Sequence, residues 1–129
     1  MVRPTTEFPT DLELQILKLL WDLEPQPVRD IRDGLATQGR DIAHTSVITT
    51  LNKMFDKGYV KRIKDGNAFL FSSRVTKEEI AQKMLGKVVD RVFDGSASAV
   101  MLSLFEHGEI DTEELKELRR LVNRRLKGE

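Results

Sequence analysis

The sequence contains no cysteine, few aromatic residues and no long apolar run. Without cysteine, the chain cannot form disulfides, thiolate metal sites, iron–sulfur clusters or a thiol nucleophile. No apolar stretch approaches the roughly 20 residues that cross a bilayer, and the first residues lack the apolar core of a secretion signal. We therefore expect a soluble cytoplasmic protein with no cofactor and no metal.

The chain also lacks an excess of charge of either sign. Its 129 residues include 21 Lys and Arg and 21 Asp and Glu, so the formal net charge is zero. This balance excludes a uniformly basic coat for nucleic acid and leaves room only for a local basic patch. The length suits one ordinary domain or two small ones.

An enzyme is not supported by the residues present. The only histidines, His44 and His107, lie on different predicted modules, and the chain has no glycine-rich phosphate loop and no nucleophile elbow. No third ligand accompanies the two histidines, so we expect no metal site. We predict a protein without catalytic activity.

Apolar periodicity predicts three helices in the first half of the chain. The first spans about residues 10–22, with Thr10 and Glu13 at the spacing of a capping box. The second begins near Pro27 and ends at Gly39. The third runs from about His44 to Lys57, with Gly58 as its stop, and its apolar stripe consists of Val47, Leu51, Met54 and Phe55.

A β-hairpin and three further helices are predicted next. The segments YVKRI and AFLFS flank KDGN, which predicts a turn at Asp65–Gly66. We assign Phe69 and Phe71 to the core at the root of the hairpin, with base stacking as the alternative. The later helices should span Thr76 to about Asp94, Ser96 or Ser98 to Phe105, and Asp111 onward. The predicted fold is mainly α with a small β-hairpin wing. A winged helix-turn-helix domain (8–74) is followed by a helical dimerisation arm (75–129).

The zero net charge conceals a basic segment. Residues 40–77 contain eight basic and three acidic side chains, and this excess falls on the third helix and the hairpin. Such an excess alone is typical of a solvated surface. In a helix-turn-helix protein, however, these two elements face DNA, so we interpret the excess as a DNA-binding surface.

The outer face of the third helix carries groups that suit double-stranded DNA. Its candidate DNA-binding residues are His44, Thr45, Ser46, Thr49, Asn52 and Lys53. Lys61, Arg62 and Lys64 of the hairpin would bind phosphates and add salt-dependent affinity. The alternative for Thr45 or Ser46 is that it only caps the helix, with the remaining side chains in water.

Four segments together resemble the penicillinase-repressor family, the BlaI, MecI and CopY group of winged-helix transcriptional repressors. They are LELQILKLLWDLEP, HTSVITTLNKMFDKGYV, the hairpin and DGSASAVMLSLFEHGEIDTEELKELRRLV. The resemblance spans about residues 8–125. It implies a dimeric repressor with an operator-binding winged helix and a dimerising arm. It also places Thr45, Ser46, Thr49, Asn52 and Lys53 on the recognition helix, and the hairpin cations around the wing.

The predicted arm gives an independent reason to expect a homodimer. Three short helices rich in Leu, Val and Met cannot bury their apolar stripes alone, and a two-fold partner would cover them. The candidate interface residues are Val88, Val92, Val100, Leu104, Leu115, Leu118 and Val122. The alternative is a monomer whose arm folds back on its own winged helix.

The family resemblance also bears on how the protein is switched. Its copper-responsive branch uses C-terminal cysteines, which are absent here. In its β-lactam branch, a membrane sensor-protease acts as antirepressor and cuts between Asn and Phe in the fifth helix. The corresponding pair here is Ser103 and Leu104, so the residues do not support cleavage, and we favour ordinary interface packing for both.

Two other functions stay open at this point. A winged-helix module that binds a protein, without specific DNA binding, would need an exposed apolar patch on the third helix. A regulator that binds a small molecule would need an aromatic-lined pocket, and Phe93 and Phe105 are the only aromatic residues in the second half. No small-molecule ligand is therefore evident.

Overall fold

The computed structural model describes residues 8–128 as six helices and a three-stranded sheet. The helices are α1 (Asp11–Asp22), α2 (Val28–Thr37), α3 (His44–Lys57), α4 (Lys77–Arg91), α5 (Ala97–His107) and α6 (Thr112–Leu126), and the strands are β1 (Gln26–Pro27), β2 (Val60–Asp65) and β3 (Ala68–Ser73). Helices thus dominate and the sheet is small, which confirms the predicted fold class.

Two compact units divide the chain inside α4, the first ending at Leu85 and the second beginning at Gly86. The first turns of α4 belong to the first unit because Ile80 is buried in its core and Met84 packs against that core. The contact boundary therefore lies later than residue 74. The functional division into 8–74 and 75–129 stays a prediction.

The prediction that the first residues form no secretion signal stays untested. It concerns largely residues 1–7, which, like residue 129, lie outside the described residues. Between residues 8 and 128, none of the helices has the length and apolar composition required to cross a membrane.

The capping box predicted at the start of α1 is present. Thr10 Oγ1 accepts a hydrogen bond from the Glu13 backbone N–H at 3.2 Å, and Glu13 Oε1 accepts one from the Thr10 N–H at 2.8 Å. The Glu13 carboxylate, 2% exposed, also forms a 2.9 Å ion pair with Lys57 Nζ at the end of α3. Glu13 therefore ties α1 to α3.

Burial, and secondly the charge of Glu13, raise the pKa of Tyr59 above its ordinary value.

Glu13→Gln is expected to lower the free energy of unfolding by about 1–2 kcal/mol, because the amide cannot form the charge-assisted bond to Lys57. Urea unfolding followed by Trp21 fluorescence would measure the change. Glu79→Gln is the matched control, since Thr76 and Glu79 form a second capping box with exposed side chains. Equal losses in the two variants would show that the Lys57 pair adds nothing to stability.

The sheet contains one strand that the sequence did not predict. Its order is β1-β3-β2 and both pairings are antiparallel. β1 is only two residues long and ends in Pro27, which is tolerated because β1 lies at the edge of the sheet. The hairpin turn is at Gly66–Asn67, one residue later than predicted, since Asp65 still pairs with Ala68. Gly66 has a φ of +63°, which suits glycine.

The later helices begin where predicted and differ at their ends. α4 ends at Arg91, three residues before predicted, and Asp94 and Gly95 in the following turn adopt positive φ values. The α5 cap is Ser96, whose Oγ accepts the Ala99 N–H at 3.1 Å, and α5 continues to His107. The Asp111 carboxylate caps α6, as predicted, through the Glu114 N–H at 2.8 Å.

One apolar core fills the first unit. Its members are at most 5% exposed: Ile16, Leu17, Leu20, Ile31, Leu35, Val47, Leu51, Met54, Tyr59, Val60, Phe71 and Ile80. The indole N–H of Trp21 donates to Ser73 Oγ at 3.0 Å and to the Val75 carbonyl at 2.9 Å. Trp21, the sole tryptophan, therefore reports on this unit.

One aromatic residue assigned to the core is not in it. Phe69 of β3 is 41% exposed, whereas Phe71 is buried as predicted. The prediction for Phe69 was wrong because its ring packs on the side chain of Arg62 instead. Phe55, on the predicted apolar stripe of α3, is 36% exposed, and its ring contacts the same guanidinium.

Candidate nucleic-acid interface

The predicted DNA-binding residues of α3 all lie at the surface. The exposed residues are His44, Thr45, Ser46, Thr49, Asn52 and Lys53. Val47, Leu51 and Met54 fix this orientation because they anchor the opposite side of α3 in the core. The polar row is therefore presented outward by a rigid helix.

The alternative role of Thr45 or Ser46 as a helix cap is wrong. The N-cap position of α3 is Ala43, and no side chain caps this end of the helix. Farther along, Thr49 Oγ1 donates to the Thr45 carbonyl at 2.9 Å, which leaves the Thr49 methyl group for apolar contact.

The three predicted wing cations do not share one face of the hairpin. Successive strand residues point to opposite faces, and the pairings Arg62 with Phe71 and Lys64 with Phe69 place these side chains together. Because Arg62 contacts Phe55 of α3, the face of the hairpin that carries Arg62 points toward α3. Lys61 lies on the other face.

Arg62 joins the hairpin to α3 by contacts that the sequence did not predict. Its Nη1 donates to Asn52 Oδ1 at 3.2 Å. Its guanidinium carbon lies 4.1 Å from the ring centroid of Phe55 and 4.9 Å from that of Phe69. The contacts with Asn52 and Phe55 follow no helical or strand periodicity, because they join two different elements, α3 and β2.

A groove of about 770 Å³ runs between α3, the hairpin and the start of α2. Its lining consists of Pro27, Val28, Arg29, His44, Ile48, Asn52, Arg62, Asn67, Ala68, Phe69 and Phe71, none of which is acidic. Arg29 was missed as a candidate because it belongs to the acidic first third of the sequence. The groove therefore combines an apolar floor with cationic side chains, which suits a polyanion.

The predicted dimer-interface residues lie on the second unit, and all but Val100 have exposed apolar side chains. Val88, Val92, Leu104, Leu115, Leu118 and Val122 are 39–68% exposed, and Val100 is half-buried. Within Ala97–His107 and Thr112–Leu126, both wholly described, no side chain is buried. Ser103 is half-buried and Leu104 is exposed.

His44 lies on the first unit and His107 on the second. Among residues 8–128, no three or more His, Cys, Asp or Glu side chains are grouped as a metal site.

The penicillinase repressor family matches residues 9–124 of this chain. The transcriptional regulator BlaI of Mycobacterium tuberculosis is 30% identical over 114 residues, covering 87% of this chain and 80% of that protein. The methicillin resistance regulatory protein MecI of Mammaliicoccus sciuri is 23% identical over 113 residues, covering 88% of this chain and 91% of that protein.

A solved structure of RosR from H. salinarum has the same fold. Its TM-score to this chain is 0.50 at 16% identity, and the match covers 94% of this chain and 96% of RosR. The likeness to RosR concerns the fold alone, whereas the sequence matches also identify the family. The chain belongs to the penicillinase repressor family, whose members are transcriptional repressors and not enzymes.

Proposed function

We propose that this protein is a cytoplasmic, homodimeric repressor that binds a dyad DNA operator near its own or a neighbouring promoter. The observation that carries the proposal is the shared groove. His44 and Asn52 of α3, Arg62 of the hairpin and Arg29 of α2 line one concave surface that has no acidic residue in its lining. DNA offers matching chemistry, with base edges in the major groove and phosphates beside it.

Each set of side chains has a distinct role in this proposal. α3 enters the major groove, where hydroxyl, amide and amine groups reach base edges. Phosphates meet the cations at the rim, which now include Arg29 at the start of α2. The proposed DNA contacts are Arg29, His44, Thr45, Ser46, Thr49, Asn52, Lys53, Lys61, Arg62 and Lys64.

Dimerisation is supported by the apolar side chains exposed on the second unit. Leu115, Leu118 and Val122 recur along α6 and are each at least 39% exposed. Burying them against the same surface of a second copy removes apolar area from water and gives two-fold symmetry. Two recognition helices then meet half-sites about one DNA turn apart.

A protein-binding module without specific DNA recognition is the competing proposal. It needs an apolar patch on α3, and Ile48, 37% exposed, is the residue that favours it. Phe55 adds little because the Arg62 guanidinium covers its ring. The outward residues of α3 are otherwise mainly polar, so the DNA proposal has the stronger support.

A membrane sensor or protease antirepressor is not part of the proposal. Such a partner comes from the family resemblance alone, and Ser103 and Leu104 differ from the Asn–Phe pair that the resemblance implies for cleavage. We propose that both residues pack in the dimer interface, which fits the 56% exposure of Leu104 in a single chain.

The purified protein is expected to bind its own upstream intergenic DNA with roughly 10³-fold preference over a scrambled duplex of equal length. Fluorescence anisotropy over a salt series measures this preference. The logarithm of the affinity should fall linearly with the logarithm of the salt concentration, because the cationic side chains of the protein displace counterions from the DNA. A stoichiometric titration should end at two chains per duplex.

Three results would contradict parts of this proposal. Equal affinity for both duplexes at every salt concentration, and for every other intergenic fragment tried, would exclude specific recognition and favour a protein partner. Saturation at one chain per duplex would exclude the dimer. Affinity independent of salt would exclude the phosphate contacts.

A further inference from the structure

Arg62 occupies a position that a simple phosphate contact does not require. Its side chain is half-buried, and its guanidinium lies between an aromatic ring of α3 and one of β3. Both ring distances, 4.1 Å to Phe55 and 4.9 Å to Phe69, are within the range of cation–π attraction. A planar guanidinium stacks in such a gap better than an ammonium does. The two exposed phenylalanines therefore hold Arg62 in place.

Phe55 and Phe69, the two rings that contact Arg62, are themselves anchored in the first unit. Phe69 packs edge-on against the buried Phe71, with ring centroids 6.4 Å apart. Phe55 lies on α3 directly after the buried Met54. Arg62 is thus fixed relative to both the helix and the hairpin.

The hydrogen bond from Arg62 defines the orientation of the Asn52 side chain. Arginine has only donors, so the atom of Asn52 that faces Nη1 at 3.2 Å must be the amide oxygen. Arg62 then occupies one of the two lone pairs of that oxygen, whereas both hydrogens of the amide NH₂ group stay available to a ligand. An unrestrained asparagine can instead contact adenine with both its oxygen and its NH₂ group.

We infer that Arg62 is a positioning residue that presents Asn52 to DNA as a hydrogen-bond donor. Asn52 then contacts an acceptor on the major-groove edge of a base, either a purine N7 or a carbonyl oxygen. This inference rests on the proposed function, and it gives Arg62 a role in sequence preference beyond phosphate binding. Phe55 and Phe69 support the arrangement without touching DNA.

The test begins with a duplex selected from a random pool by the wild-type protein. Asn52→Ala identifies the base pair that Asn52 reads, as the position where substitution no longer changes affinity. Arg62→Ala should reduce preference at that same base pair by roughly tenfold. The double variant should lose no more preference than either single variant, because both remove one interaction.

Lys61→Ala is the matched control. It removes the same charge from the neighbouring position of β2, on the face turned away from Arg62. We expect it to weaken binding to all duplexes equally and to reduce the salt dependence, as a phosphate contact does. Arg62→Lys keeps the charge and should still lose preference, since an ammonium does not reproduce the stacked guanidinium.

A duplex with 7-deazapurine at the base pair read by Asn52 separates the two acceptors. Loss of binding assigns N7, and unchanged binding assigns a carbonyl oxygen. In either case Asn52→Ala should bind the normal duplex and the 7-deazapurine duplex with equal affinity. If this variant still distinguished the two duplexes, the proposed base contact of Asn52 would be overturned.

NMR spectra of Asn52 and the fluorescence of Trp21 are two further readouts. The side-chain amide resonances of Asn52 in the free protein should shift in Arg62→Ala and stay unchanged in Lys61→Ala, and Trp21 fluorescence confirms folding of each variant. Unchanged Asn52 resonances, or an equal loss on all duplexes in Arg62→Ala, would overturn the positioning role while leaving the proposed function intact. Failure of the wild-type protein to select any sequence would overturn both.

Discussion

Leu118→Asp is expected to separate the proposed homodimer into monomers and to lower affinity for the full proposed dyad operator by roughly 10²–10⁴-fold. Leu118 is 39% exposed on α6, between Leu115 and Val122 on the same apolar stripe. A carboxylate at this position would have to lose its water when two copies meet, with no partner to compensate for it. The operator would then be bound one half-site at a time.

Sedimentation and DNA binding together test this prediction. The first unit does not contain Leu118, so affinity for an isolated half-site should stay at the wild-type value. Asn123→Asp is the control, because it adds one negative charge to an exposed position of α6 away from the stripe. An unchanged sedimentation mass for Leu118→Asp would remove Leu118 from the interface.

Much of the first unit was predictable because its elements are encoded locally. Both capping boxes, at Thr10 and at Thr76, follow from residues three positions apart. The bounds of α3 follow from an apolar stripe and from Gly58, whose φ of +83° ends the helix. Short-range rules of this kind need no knowledge of the tertiary structure.

The features that escaped prediction depend on contacts between distant segments. β1 is a two-residue strand, which is too short to show any periodicity, and it exists only because β3 lies beside it. The burial of Glu13 depends on Lys57, 44 positions away. Phe55 was placed on the apolar stripe of α3 by helical spacing alone, and that spacing cannot predict its contact with an arginine of the hairpin.

The candidate DNA surface shows the same division. Exposure of the polar row of α3 follows from the apolar stripe on its other side, so the sequence could place it. The roles of Lys61 and Arg62 could not be separated from composition, because both were simply cations in one basic segment. The strand register separates them, since adjacent residues of β2 point to opposite faces.

Leu51→Ala is expected to lower the free energy of unfolding by about 2–5 kcal/mol. Leu51 is fully buried at the centre of α3, and its removal leaves a cavity behind the exposed polar row of α3. This loss is a large part of the roughly 5–15 kcal/mol that stabilises a typical domain. The melting temperature of the first unit should fall by roughly 8–40 °C.

Trp21 fluorescence is the appropriate probe, because the indole bonds to Ser73 and Val75 of the first unit. Leu23→Ala is the control, since the same side chain is removed from a position that is 69% exposed and should cost well under about 1 kcal/mol. Below its melting temperature, Leu51→Ala should keep the wild-type preference for its operator, because the outward residues of α3 are unchanged. If the fully folded variant lost that preference, the packing behind α3 would also set the orientation of α3 on DNA. Equal stability of Leu51→Ala and Leu23→Ala would contradict the assignment of Leu51 to the core.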